Sequence, residues 1–283
     1  MKKLQFIFAA AALLVLSLGM MGCDPNNPNN PDMPAIVSTS ETNNGDGIVV
    51  EVIYKNNIRL YFELTSPTEC ALTLYKDYYG WYNEGFEQYA YSGDLVIPET
   101  ITHKGVTYTV TDISYGVSLS KNVPSVWIPK TVVADNIMSL VHDWFELTAI
   151  NVSVDNPKYA SEDGVFFDKA KTALLRYPNN KIGESYTVPN GVTKIDYRAF
   201  AGSKSLISVL LPSTITNMDF SVFKDCSSLS TLTCLATTPP QLYFIEGNSS
   251  FYESSITTAK VPAGSVSAYR GAAGWKDLTI VAL

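Results

Sequence analysis

The stretch Tyr186-Thr-Val-Pro-Asn-Gly-Val-Thr-Lys-Ile-Asp-Tyr-Arg-Ala-Phe200, continuing through Ala201-Gly-Ser-Lys-Ser-Leu206 to Val209, overlays the sequence that follows it at an offset of 23 residues. The copy runs Val209-Leu-Leu-Pro-Ser-Thr-Ile-Thr-Asn-Met-Asp-Phe-Ser-Val-Phe223 and on through Lys224-Asp-Cys-Ser-Ser-Leu229 to Leu232. Tyr186, Val188, Val192, Ile195, Phe200, Leu206 and Val209 meet Val209, Leu211, Ile215, Met218, Phe223, Leu229 and Leu232, and Pro189 meets Pro212. Such self-similarity at a fixed period marks a repeat architecture. One unit has too few apolar side chains to bury its own face, so units must stack, with Val188 over Leu211 and Phe200 over Phe223. Proline cannot donate a ladder hydrogen bond, so Pro189 and Pro212 mark strand ends. Thr, Val, Ile and Tyr dominate the short runs, and long helical periodicity is absent. The pattern predicts a mostly β repeat solenoid.

Weaker copies lie upstream. Leu95-Val-Ile-Pro98 and Val126-Trp-Ile-Pro129 repeat the apolar-apolar-Pro step, and Leu147-Thr-Ala-Ile150 repeats the step Leu206 to Val209. The longer gap before Pro189 holds an extra segment, residues 155–178. Its two short apolar runs around Asp168-Lys-Ala-Lys171 read as a hairpin inserted in the array, with Glu162-Asp-Gly164 as a turn before the strand Val165-Phe-Phe167.

The N-terminus carries an address. Lys2 and Lys3 precede the apolar run Phe6 to Leu18, too short for a spanning helix, which needs ~20 residues, and fitting a secretory signal. Gly19-Met-Met-Gly-Cys23 resembles the bacterial lipoprotein box, which implies cleavage after residue 22 and acylation of Cys23. Dual or triple acylation anchors stably where a single chain does not. Pro25, Pro28, Pro31 and Pro34 then recur every third residue, the period of polyproline II, giving a semi-stiff stalk of about 35 Å. The expected organisation is therefore a signal peptide at 1–22, an acylated Cys and Pro/Asn-rich tether at 23–46, and a solenoid at 47–283. Within the solenoid, 47–92 read as an aromatic-rich N-terminal cap, 93–240 as repeats and 241–283 as a C-terminal cap.

Further residues carry a family resemblance. Leu95-Val-Ile-Pro98, Val192-Thr-Lys-Ile195, Ala199-Phe200, Phe223-Lys-Asp-Cys-Ser-Ser-Leu229 and the 23-residue period resemble the BspA-like leucine-rich repeats, common in surface lipoproteins of Bacteroidetes. Residues 91–113 resemble that family's opening repeat with its hairpin. Residues 259–278 resemble its closing cap, in which Tyr269 and Trp275 seal the last layer. The resemblance covers roughly residues 48–283. It implies an outer-membrane lipoprotein, exposed at the cell surface rather than facing the periplasm, and adhesion to proteins such as fibronectin and fibrinogen. The chain departs from the family pattern at Asp112 to Val123, where Ser114-Tyr-Gly-Val stands in place of an Ala-Phe pair.

Composition excludes several functions. With 20 Lys and Arg against 27 Asp and Glu, the net charge is −7, and no basic stripe exists for nucleic acid. The two histidines, His103 and His142, read as a hairpin and a loop residue and leave little for a multi-His metal site. After Cys23 come Cys70, Cys226 and Cys234, an odd number that cannot form a full disulfide framework; Cys226 and Cys234 could pair, or serve as small buried apolar residues, the favoured reading. No nucleophile elbow, phosphate loop or zinc-protease motif appears. Asp155, Glu162, Asp163 and Asp168 lack the spacing of a calcium loop and read as solvated turns. The expected function is accordingly non-catalytic, with no cofactor and no metal.

One feature points to binding. Tyr75, Tyr78, Tyr79, Trp81, Tyr82, Phe86, Tyr89 and Tyr91 crowd seventeen residues. Amphipathic rings give large contact area at low entropic cost, and they also cover the open end of a repeat array. Tyr78, Tyr79, Trp81 and Tyr82 are the candidate binding surface, for a protein or a glycan. The alternatives are an accessory role in polysaccharide capture or degradation, and a structural role in the envelope.

Overall fold

The computed structural model describes residues 35–43, 47–55, 59–73, 93–114, 123–135, 137, 146–245 and 249–283. Strand β1 (Ile36–Asn43) pairs antiparallel with β2 (Ile48–Tyr54), and β3 (Arg59–Leu64) and β4 (Glu69–Thr73) continue the meander. The short β5 (Leu95–Val96) stands apart in another sheet. The hairpin of β6 (Thr100–His103) and β7 (Val106–Ile113) returns to the first, with β7 parallel to β4. Period-two alternation explains the inner strands: Val50, Val52 and Phe62 are buried.

The strand order β1-β2-β3-β4-β7-β6 leaves β1 and β6 at opposite edges, yet side chains join them. The buried His103 on β6 pairs through Nδ1 with Thr39 Oγ1 at 2.8 Å and through Nε2 with Glu41 Oε2 at 2.9 Å, and Lys104 Nζ donates to Glu41 Oε1. The sheet therefore curls until its two edges meet. This corrects the tether boundary expected at 46, because Ile36–Asn43 is a strand. It buries no apolar side chain, and the ladder to β2 and the polar clasp to His103 and Lys104 hold it.

Beyond the first sheet the array builds in parallel. β5, β8 (Ser125–Ile128) and β9 (Ala149–Val152) form one sheet. The inserted segment folds as β10 (Tyr159–Glu162), β11 (Val165–Asp168) and β12 (Ala173–Arg176), with the turn at Glu162 to Val165 where the sequence placed it. It does more than bud from the array. Phe166 faces the core shared with the N-terminal sheet, while Val165 and Phe167 face the core of the following repeats, so β11 is the wall between them.

Two parallel ladders then run side by side. β13 (Ser185–Thr187) begins one and β14 (Lys194–Ile195), beside β12, extends the other; β15 (Ser208–Leu211), β16 (Asn217–Met218), β17 (Thr231–Cys234) and β18 (Gln241–Leu242) alternate between them. Ser185 lies beside Ser208 and Ser208 beside Thr231, which is the 23-residue offset made physical. Inside, Tyr177, Phe200, Phe223 and Phe251 form a ring stack with centroids 5.3, 5.3 and 6.3 Å apart. β19 (Thr258–Val261), helix α1 (Val266–Gly271) and β20 (Thr279–Ala282) close the array. Tyr269 and Trp275 are wholly buried there, donating to the carbonyls of Ala236 and Pro240, both at 2.9 Å. On the outer side of β20, Arg270 Nη2 donates to the Ile280 carbonyl at 3.1 Å.

Cys70, Cys226 and Cys234 are free and buried, and burial pushes the Cys70 and Cys226 thiols up to about 12. They act as small core residues.

Candidate functional site

Cys23 and the candidate surface of Tyr78, Tyr79, Trp81 and Tyr82 lie outside the described residues, as does His142. The carboxylates of the inserted segment are placed, and Glu162, Asp163 and Asp168 are each engaged separately. Glu162 pairs with Lys171 at 2.6 Å and Asp163 with Lys181 at 3.1 Å; Asp168 accepts from the Thr172 and Ala173 backbone and the Thr172 hydroxyl. Among the described residues no cluster of His, Cys, Asp and Glu could hold a metal ion.

The structure brings together a different set of residues. After each strand of the ladder β14-β16-β18 the chain presents an aromatic residue outward. Ile195 pairs with Met218 and Met218 with Leu242, so Tyr197, Phe220 and Phe244 fall in one row and Asp196, Asp219 and Tyr243 in the row beside it. Local chemistry aims them. Asp196 Oδ1 accepts the Tyr197 N–H at 3.0 Å and Asp219 Oδ1 accepts the Phe220 N–H at 2.8 Å, a short-range side-chain turn that fixes the bend. Arg198 and Ser221 follow with φ of 52° and 54°, and the left-handed step lets the chain re-enter the core at Phe200 and Phe223.

Tyr197 and Phe220 stack, with centroids 4.5 Å apart and planes 24° from parallel, and the Arg198 guanidinium lies 5.1 Å from the Tyr197 ring centre. Tyr243, Phe244 and Ile245 are 44%, 46% and 48% exposed, which makes the end of the row a contiguous apolar surface rather than a scatter of single residues. Gly274 shapes that end: with φ of 76°, it leaves room where a Cβ would stand 2.7 Å from Leu242 Cδ1 and 3.2 Å from Phe244 Cζ. Lys194 lies 3.0 Å from Asp196 and 3.8 Å from Asp219. Partial burial pulls its ammonium pKa down, but the Asp196 hydrogen bond and the two carboxylate charges outweigh that and hold it above the ordinary lysine value. The row is thus aromatic, with a polar border in which two carboxylates share one lysine. The opposite ladder presents Ser185, Ser208, Thr231, Thr258 and Thr279 in register, short hydroxyls with no ring among them.

Sequence reasoning passed over this row. The available signal was the Asp-aromatic doublet, Asp196-Tyr197 and Asp219-Phe220, which recurs at the offset of 23.

Residues 179–272 match the family model described as the BspA type leucine rich repeat region, in six copies. No curated protein matches the chain. Among solved structures, the chain is similar to a leucine-rich repeat protein from Eubacterium ventriosum, at 20% identity over 68% of this chain and 54% of that one, with a TM-score of 0.39. It thus spans about half the length of that relative. A leucine rich cell surface protein from Faecalibacterium prausnitzii is similar at 14% identity, over 87% and 95% of the two chains, with a TM-score of 0.34. The pneumococcal vaccine antigen PcpA is similar at 13% identity, over 80% and 82%, with a TM-score of 0.33.

Proposed function

We propose that this chain, whose residues 179–272 are leucine-rich repeats of the BspA type, is a non-catalytic binding protein of the cell surface, held to the outer membrane by acylated Cys23. The observation that carries the binding role is the row of Tyr197, Phe220 and Phe244, with Tyr243 and Ile245 beside it. Each ring is delivered by a separate repeat, and exposed apolar patches of this kind mark interaction sites. The export signal and the lipoprotein box support the surface placement. No described group of residues offers the perturbed carboxylate pair that a hydrolase would need, and a stacked, solid core suits display of a surface.

The test is binding of the purified full-length protein to plates coated with fibronectin, fibrinogen or polysaccharides, beside the double variant Tyr243→Ala/Phe244→Ala. Both side chains are about half exposed, so the variant should melt near the parent temperature and lose the binding. A double variant that binds every coat as well as the parent would remove the row from the function.

A further inference from the structure

The two ends of the aromatic row differ, and the difference bears on the kind of ligand, given the binding role proposed above. Tyr197 and Phe220 each cover one face of the other, and Arg198 lies over Tyr197, so less ring face is offered at this end. Tyr243 and Phe244 stack on no described ring, and each is about half exposed, with Phe244 Cζ resting against Gly274.

Beside these rings stand uncharged hydrogen-bonding groups. Asn217 on β16 is in register with Gln241 on β18, and both side chains reach the surface. Thr216 Oγ1 donates to Asn217 Oδ1 at 2.7 Å, which turns the Asn217 amide so that its Nδ2 faces Tyr243 Oη at 3.5 Å. Asp219, in the row of Tyr243, lies 3.8 Å from Lys194, whose ammonium is closer to Asp196 at 3.0 Å, so the two carboxylates share one cation and the rim keeps negative charge.

Exposed rings that stack on no other ring suit the C–H face of a sugar, and carboxamides offer both donors and acceptors to its hydroxyls. An apolar protein contact would bury the Gln241 amide with no partner for it. A strongly anionic ligand would meet Asp196 and Asp219. We infer that Tyr243 and Phe244 are the stacking floor, and Asn217, Gln241 and Asp219 the hydroxyl-binding rim, of a subsite for a neutral polysaccharide lying along the repeat axis. Neighbouring strands in a sheet lie about 4.8 Å apart. Successive sugar units of an extended glycan would then pass Gln241, Asn217 and Lys194 in turn.

Affinity electrophoresis of the full-length protein tests this, in gels holding hydroxyethylcellulose, galactomannan or xyloglucan, beside polygalacturonate and beside fibronectin-coated plates. At least one neutral polysaccharide should retard the protein. Phe244→Ala should weaken that retardation about tenfold, equal to ~1.4 kcal/mol. Asn217→Ala should weaken it too at unchanged melting temperature, while Ile182→Ser, on a distant exposed loop, should leave it alone. Retardation by polygalacturonate only, or neutral retardation untouched by Phe244→Ala and Asn217→Ala, overturns the subsite. Capture on fibronectin that Phe244→Ala abolishes, with no neutral retardation, overturns the glycan assignment and keeps the binding role. Silence on every probe overturns both.

Discussion

Phe200 shows what one side chain does in a stacked repeat. Its ring lies 5.3 Å from Tyr177 on one side and 5.3 Å from Phe223 on the other, both nearly parallel, with no exposed surface. Phe200→Ala should leave a cavity shared by three layers and lower stability by ~3–5 kcal/mol in urea titration; a loss under about 1 kcal/mol would mean the ring is not stacked. Phe200 and Phe223 could be read from the sequence because the same spacing separates both their residues and their strands. Phe244 could not. Leu211 pairs near Cys234 at an offset of 23, but Met218 pairs with Leu242 at 24, so one extra residue enters between the two ladders, around Pro239 and Pro240. A comparison at a fixed offset therefore sets Phe220 against Tyr243, and the row of Tyr197, Phe220 and Phe244 forms only in three dimensions.

Strand β1 is an element held by polar contacts alone. Nothing in the sequence signals it, because its side chains have no apolar alternation and its closing contacts reach some sixty residues ahead, to His103 and Lys104. The Lys104 hydrogen bond, followed by that of His103, holds the Glu41 carboxyl below its ordinary value. A carboxylate depressed in the folded state stabilises it above the ordinary pKa of about 4.3 and loses that contribution as pH falls through the folded value. Protection factors across β1, taken against the intrinsic exchange rate at each pH, should therefore stay high at pH 5 and fall as the solution is acidified below the ordinary carboxylate range. In Glu41→Gln the strand should exchange faster at pH 5 and lose the acid step. Equal exchange in parent and variant would show that the β2 ladder alone holds β1.

At the scale of the whole molecule the question is how the array ends. A parallel ladder has two edges, and an unpaired edge invites another chain to add a strand. The β13-β15-β17-β19-β20 ladder finishes at β20, whose Thr279 and Leu283 N–H groups turn inward to Thr257 and Val261. The Ile280 carbonyl consequently faces outward, where Arg270 covers it. Arg270→Ala should uncover that edge and raise self-association, seen as a concentration-dependent rise in mass by light scattering; a variant that stays at the parent mass would show that α1 shields the edge without it. The guarded edge also gives the molecule a fixed gauge. With the outer side of β20 covered by Arg270 and β11 forming the wall at the other end of this core, the rows between them span a fixed number of strands. A ligand lying along the proposed row would be measured against that span, and a longer one would be held over it with both ends left free.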